Sequence, residues 1–221
     1  MESFHQCLAL GPLAIYMLLL GVINLARRPF LVSGARDAAV LGLAVSGLVV
    51  VGPMALMFPE MTAAHLGPNG FKYVWVMLLV LYALGLVVVL LTLRPRLVVY
   101  NISVDELRPA LADLVERLDP DGRWAGDSLV LPRLGVQLYL DSAGWMRNVA
   151  LVSAGPKQDY AGWAKLETSL ATMLKHLEVR RNPRGMTLFS FGAFVIGMLA
   201  WTIASDPQGI ARALFDLLQP Q

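Results

Sequence analysis

Cysteine and histidine are nearly absent: the chain of 221 residues has one Cys and three His. A lone thiol, Cys7, excludes an intrachain disulfide and any cysteine-based zinc site, and reads as a thiol at an apolar edge. Charged residues are scarce as well, at 15% of the chain against 57% hydrophobic. That balance lies outside the range of ordinary soluble domains. A formal net charge of +2 is too small to imply a nucleic-acid partner. From Leu97 to Asn182 there is no phosphate-binding loop, no dinucleotide-binding glycine pattern, no His pair and no serine nucleophile elbow. No catalytic residue, cofactor or metal is therefore assigned, and an interaction protein is favoured over an enzyme.

What is present is four windows nearly free of charge, Leu8–Ala26, Ala38–Phe58, Tyr73–Leu93 and Met186–Ser205. Each is about 20 residues long, enough for a helix to cross a hydrocarbon core of roughly 30 Å. The fold class they predict is an α-helical integral membrane protein. It has four transmembrane helices, at about 7–26, 38–58, 73–93 and 186–205. A small two-layer α+β domain, residues 97–182, is inserted between the third and fourth. The first window is not read as a cleaved signal, because no Lys or Arg precedes it and Arg27-Arg28 follow it.

Arginine sets the expected orientation. Arg27, Arg28, Arg94, Arg96, Arg180, Arg181 and Arg184 all flank the predicted insert or the first loop, whereas Lys72 and Arg212 stand alone on the other side. Basic residues gather on the cytoplasmic side of membrane proteins, so both termini are expected outside and residues 97–182 in the cytoplasm. These arginines suit anionic headgroups at ~1 kcal/mol each, making the lipid bilayer the first expected partner. The preference for Arg over Lys, with abundant Ala, Gly and Leu, suggests a GC-rich bacterial source and hence the cell membrane.

Small residues recur on two of the apolar windows: Gly42 and Ser46 follow Ala38 at four-residue spacing, and Ala193 and Gly197 lie in the last window. Such faces let helix backbones approach closely, within one chain or between copies. Pro12 and Pro53, each after a glycine, are candidate kinks at similar depth. Asn24 is the only amide of the first window, near its inner end. The stretch Pro59–Lys72 reads as an outer loop, and its Glu60 and His65 are too few to make a zinc site. Residues 208–218 after Ser205-Asp206-Pro207 suggest a short amphipathic helix.

Within the insert, Leu97–Ser103 reads as a strand and Ser103-Val104-Asp105-Glu106 as a capping box that opens a helix. Leu107, Leu111 and Val115 share one face of that helix. Three strands follow, near Ser128–Pro132, Val136–Asp141 and Arg147–Ser153, and a helix begins at Asp159. The predicted order is β-α-β-β-β-α, with an extended piece at Glu178–Arg181 returning to the membrane. The spacing Asp119-x-Asp121-Gly122…Asp127 resembles a calcium loop, but Arg123 and Val130 stand where oxygen ligands belong, so a polar turn is expected. Trp124 and Trp145 are in loops where they could contact a partner, with burial under the sheet edge the expected fate, and His176 is read as a surface residue near a helix end. The functional expectation is a non-enzymatic membrane protein whose cytoplasmic domain docks a protein partner or its own copies. The alternative is a small-molecule transporter or channel subunit, motivated by the two Gly-Pro sites. The absence of ionisable residues from all four windows weighs against ion-coupled transport. A membrane-bound enzyme built from scattered residues is the least favoured reading.

Overall fold

A computed structural model describes residues 2–57, 60–143, 146–156, 158–209, 211 and 215, excepting the side chains of 2, 50, 53–57, 60–75 and 143. In chain order the elements are α1 (Glu2–Leu25), β1 (Phe30–Ser33), α2 (Gly34–Met57), α3 (Glu60–Thr92), β2 (Arg96–Tyr100), α4 (Val104–Leu118), β3 (Arg123–Ala125), β4 (Ser128–Leu131), β5 (Val136–Ala143), β6 (Asn148–Ser153), α5 (Tyr160–Leu174) and α6 (Arg184–Ser205). They divide into two compact units. One is helical, built from the chain up to Leu19, Ala39–Leu91 and the chain from Leu188; the other is α+β, built from Leu20–Ala38 and Thr92–Thr187.

In the α+β unit, alternation of apolar and polar residues along the strands gives one buried face, and antiparallel pairing aligns those faces. Among the described residues the sheet has six strands in the order β1-β2-β6-β5-β4-β3. Leu97 and Val99 of β2, Leu138 and Leu140 of β5, and Val149 and Leu151 of β6 all point into one core. The helices α4 and α5 cover that core. Leu107, Leu111 and Val115 supply the buried stripe of α4, and Trp163, Leu166, Leu170 and Leu174 that of α5. Each helix starts where its sequence says. Ser103 N–H donates to Glu106 Oε2 at 3.1 Å in the expected capping box, and Asp159 Oδ1 accepts from Ala161 N–H at 3.0 Å. On the opposite sheet face Phe30 and Tyr139 are exposed, whereas Val98 and Tyr100 are buried.

The helical unit has the reverse arrangement. Its buried positions are mostly small: Ala9, Ala14 and Ala44 are almost fully enclosed, with Leu199 the large buried side chain among the described residues. Gly47 meets the backbone of Leu8 and Ala9, and Gly192 meets Ala14 and Leu18, so α2 and α6 each approach α1 at backbone distance. Gly42 lies under Leu86, and Tyr82 Oη donates to Gly42 O at 2.6 Å, joining α2 to α3. The large apolar side chains face outward: Leu43 is 63% exposed, Leu91 80%, Phe194 69% and Trp201 76%.

The structure overturns the expectation of four membrane spans. Among the described residues, Ser3–Leu25 and Arg184–Ser205 are at once long and apolar enough to cross, with mean hydropathies of 2.1 and 1.8. The third window belongs to a continuous 33-residue helix, α3, which takes in the expected outer loop with Glu60, His65 and Lys72. Its described apolar part, Val76–Thr92, is not among the helices that qualify. The second window is part of α2, which carries Asp37 in its first turn and is not among the helices that qualify. What the structure supports is an α+β protein with a six-stranded antiparallel sheet and an additional helical unit.

The α+β part also departs from β-α-β-β-β-α within 97–182. The sheet recruits β1 from the loop after α1, where Phe30 pairs with Tyr100 and Ser33 with Leu97. It also gains the three-residue strand β3, hairpinned to β4 through Gly126 at φ +63°. The returning segment at residues 178–181 does not run beside β2. It lies instead along the exit from α1, where Val179 N–H donates to Arg27 O at 2.9 Å.

Candidate functional site

Four chain segments of the α+β unit converge on a buried polar junction: the end of α1, the β2–α4 link, the β5–β6 hairpin, and the link into α6. Three asparagines form its centre, Asn24, Asn101 and Asn182, of which Asn24 and Asn101 have no exposure and Asn182 has 2%. Buried amides need partners; Asn101 and Asn182 find backbone from other segments, and Asn24 finds it within its own helix. Asn101 Nδ2 donates to Ala26 O at 2.7 Å, and Asn182 Nδ2 to Asn24 Oδ1 at 3.3 Å and Met146 O at 3.2 Å. Asn24 Nδ2 donates to Leu20 O at 2.9 Å, and Asn182 Oδ1 accepts from Arg184 N–H at 3.1 Å. Asn101 Oδ1 is buried without a hydrogen-bond partner among the described residues.

Backbone strain marks the same place. The two non-glycine residues with positive φ among the described residues, Asn101 at 61° and Arg147 at 52°, both stand here. They are linked through Ile102, whose N–H donates to Arg147 O at 2.7 Å. Arg147 then bridges outward. Its Nη2 donates to Glu106 Oε1 at 2.8 Å and Oε2 at 2.6 Å, while Nη1 donates to Arg180 O at 3.1 Å. Burial pushes the Glu106 carboxyl up, but the Ser103 backbone N–H and the Arg147 guanidinium together hold it below its ordinary value. Among the described residues the junction holds amides and one guanidinium–carboxylate pair, with no thiol or imidazole. These groups fix backbone.

The arginines singled out from sequence fall into two places. Arg27 and Arg28 lie in the bend that leaves α1, Arg180 and Arg181 on the segment hydrogen-bonded alongside it, and Arg184 at the start of α6. Arg94 and Arg96 stand at the start of β2, beside the other end of β1. Arg96 is not a solvated surface residue of the expected kind: it lies across the backbone of Gly34 and its Nη2 reaches Asp37 Oδ2 at 3.5 Å. Tyr100 Oη donates to Asp37 Oδ1 at 2.5 Å, completing a cluster at the first turn of α2.

Of the packing residues, Gly42 is buried against α3. Ser46 bonds back to Leu43 O at 2.8 Å within α2. Ala193 and Gly197 are exposed, and α6 meets α1 at Gly185 and Gly192. The helix α1 continues through Pro12; the side chain of Pro53 lies outside the described residues, as do those of Glu60 and His65, the residue Trp145 and most of residues 208–218. Asp119 is a polar turn as expected, its buried carboxylate accepting from the N–H groups of Asp121, Arg133 and Leu134 at 2.8 to 3.3 Å. Trp124 packs against the core beneath the Arg108 guanidinium, 5.4 Å from its ring centre, and His176 is exposed.

Sequence reasoning missed Asn101 and Arg147 and treated Asn182 as a flank. The available signal was Asn24, a single amide in an apolar run, which calls for a polar partner from elsewhere in the chain. Comparison of this chain with protein-family models, with curated proteins and with solved structures finds no match.

Proposed function

We propose that this is a non-enzymatic integral membrane protein, with its helical unit in lipid and its α+β unit on the cytoplasmic side as a docking module for a protein partner or a second copy. The observation that carries the membrane part is the inverted helical unit, with Ala and Gly inside and Leu, Val, Phe and Trp outside. In water, so many exposed large apolar side chains on one unit are unusual for a monomer. More than a dozen half-exposed apolar side chains, on the order of 1 kcal/mol each, favour lipid over water. In this reading the two qualifying helices, α1 and α6, cross the bilayer. Arginines beyond the α+β ends of α1 and α6 give the orientation.

Docking is supported by the sheet face with Phe30 and Tyr139 exposed and by a polar junction equipped to hold shape. The test has two parts. Membranes containing the full chain are washed at alkaline pH, and retention in the pellet is expected; release into the wash refutes insertion. Single cysteines placed at Arg123 and Lys175 in a Cys7→Ser background should resist a membrane-impermeant maleimide in intact cells and react after lysis. Labelling in intact cells refutes the orientation. Purification in mild detergent should then return a stoichiometric partner or an oligomer, and a monomer alone refutes docking.

A further inference from the structure

We infer that Arg27, Arg28, Arg180 and Arg181 form a phosphate-binding patch that holds the headgroup of an anionic phospholipid. This rests on the membrane reading above and adds a ligand to it. The four residues belong to two neighbouring backbone segments fixed to each other. Val179 N–H donates to Arg27 O at 2.9 Å, Asn182 N–H to Asn24 O at 3.1 Å, and Arg147 Nη1 to Arg180 O at 3.1 Å. The backbone is thus held while all four side chains are exposed.

Charge balance separates them from four arginines of the unit, and the pairing of two such tandems on fixed neighbouring segments separates them from Arg36, Arg94, Arg117 and Arg123. Arg96, Arg108, Arg133 and Arg147 are each paired with a carboxylate, whereas none of the four has such a partner among the described residues. Glu178 is close in sequence, but it is exposed and makes no ion pair with them among the described residues. Four like charges on adjacent segments repel. Guanidinium groups in tandem pairs match phosphate oxygens bidentately, so a phosphate-bearing anion relieves that repulsion.

A lipid headgroup is the source favoured by position. Arg27 and Arg28 follow the end of α1 at Leu25, and Arg180 and Arg181 precede the start of α6 at Arg184. These are the two helices long and apolar enough to cross a bilayer, so the four side chains leave the chain where headgroup phosphates begin.

The test uses the full chain in neutral detergent, titrated with phosphatidylglycerol or phosphatidylcholine, with bound lipid read by native mass spectrometry. Wild type should prefer phosphatidylglycerol, and R180Q/R181Q should weaken that binding by about fivefold per arginine, roughly 25-fold in all. R180K/R181K keeps the charge and should weaken it less, while R123Q, on a different strand, should not change it. Equal affinity for both lipids, or an R180Q/R181Q variant that is still folded by its melting curve and still selective, overturns the inference. Displacement of the lipid by millimolar inorganic phosphate would assign the patch to free phosphate and overturn the lipid source. Failure of the chain to stay in alkaline-washed membranes strikes the membrane reading instead, so the two failures are distinguishable.

Discussion

Replacing Gly162 with alanine sets two known effects against each other. Gly162 lies in the first turn of α5, fully packed against the β4–β5 turn. Helix propensity alone predicts a gain of up to about 1 kcal/mol from Gly to Ala. A Cβ here would overlap the carbonyl oxygen of Leu134 and sit 3.0 Å from Leu134 C and 3.1 Å from Val136 Cγ2. A carbon–oxygen contact is about 3.3 Å at its closest, so helix or turn must shift by more than about 1 Å. Neither is free to do so. The turn is held by Asp119 Oδ2, which accepts from Arg133 N–H at 2.8 Å and Leu134 N–H at 3.3 Å, and Asp159 N–H ties the start of α5 to Gly135 O at 3.0 Å. Overpacking of this kind costs about 1–3 kcal/mol or more, which exceeds the propensity gain. The expected result is a lower melting temperature, followed by tryptophan fluorescence in detergent. Gly85→Ala, where a Cβ meets nothing within 4 Å, should leave it unchanged or raise it. A Gly162→Ala variant as stable as wild type would refute the close-approach argument.

Asn182→Ala removes three hydrogen bonds from a residue with 2% exposure and strands Asn24 Oδ1, Met146 O and Arg184 N–H. A loss of about 1–3 kcal/mol is expected, read by thermal or protease melting of the α+β unit. Leu166→Ala, at a position with no exposure in the core, should cost about 2–5 kcal/mol by the same assay. Because the Glu106 carboxyl is held below its ordinary value of 4.5, its contribution is present above that value and lost as pH falls through the lowered one. Melting temperature followed downward from pH 4.5 should therefore fall more steeply for wild type than for Glu106→Gln; parallel curves would rule the carboxylate out as a source of acid sensitivity.

The parts of the fold legible in sequence are those whose cause is local. The capping box at Ser103–Glu106, the start of α5 at Asp159 and the apolar stripe of α4 each depend on residues within a turn or two of one another. β1 and β3 were not legible for the opposite reason. Phe30–Ser33 is too short to show alternation and becomes a strand only because β2, far along the chain, offers it a partner. Arg123-Trp124-Ala125 sits between glycines that read as a loop. The apolar windows were visible as composition, but their lengths as spans were not, since α3 runs on through residues that looked like a loop. At the junction, the arginines were found by counting charge. The asparagines that fix two of their segments were not, because a buried amide is recognised by what surrounds it in space.

The origin of β1 outside the main body of its sheet bears on how the chain is made. During synthesis Phe30–Ser33 emerges long before β2 exists to receive it, and at about 5–20 residues per second that interval lasts seconds. An apolar strand without a partner is an aggregation hazard for that time. Arg27, Arg28 and Pro29 stand directly ahead of it, the residue types that discourage edge-to-edge pairing. A fragment cut at residues 97–182 would begin life with the converse defect, an open β2 edge and buried amides whose carbonyl partners were left behind on the other piece.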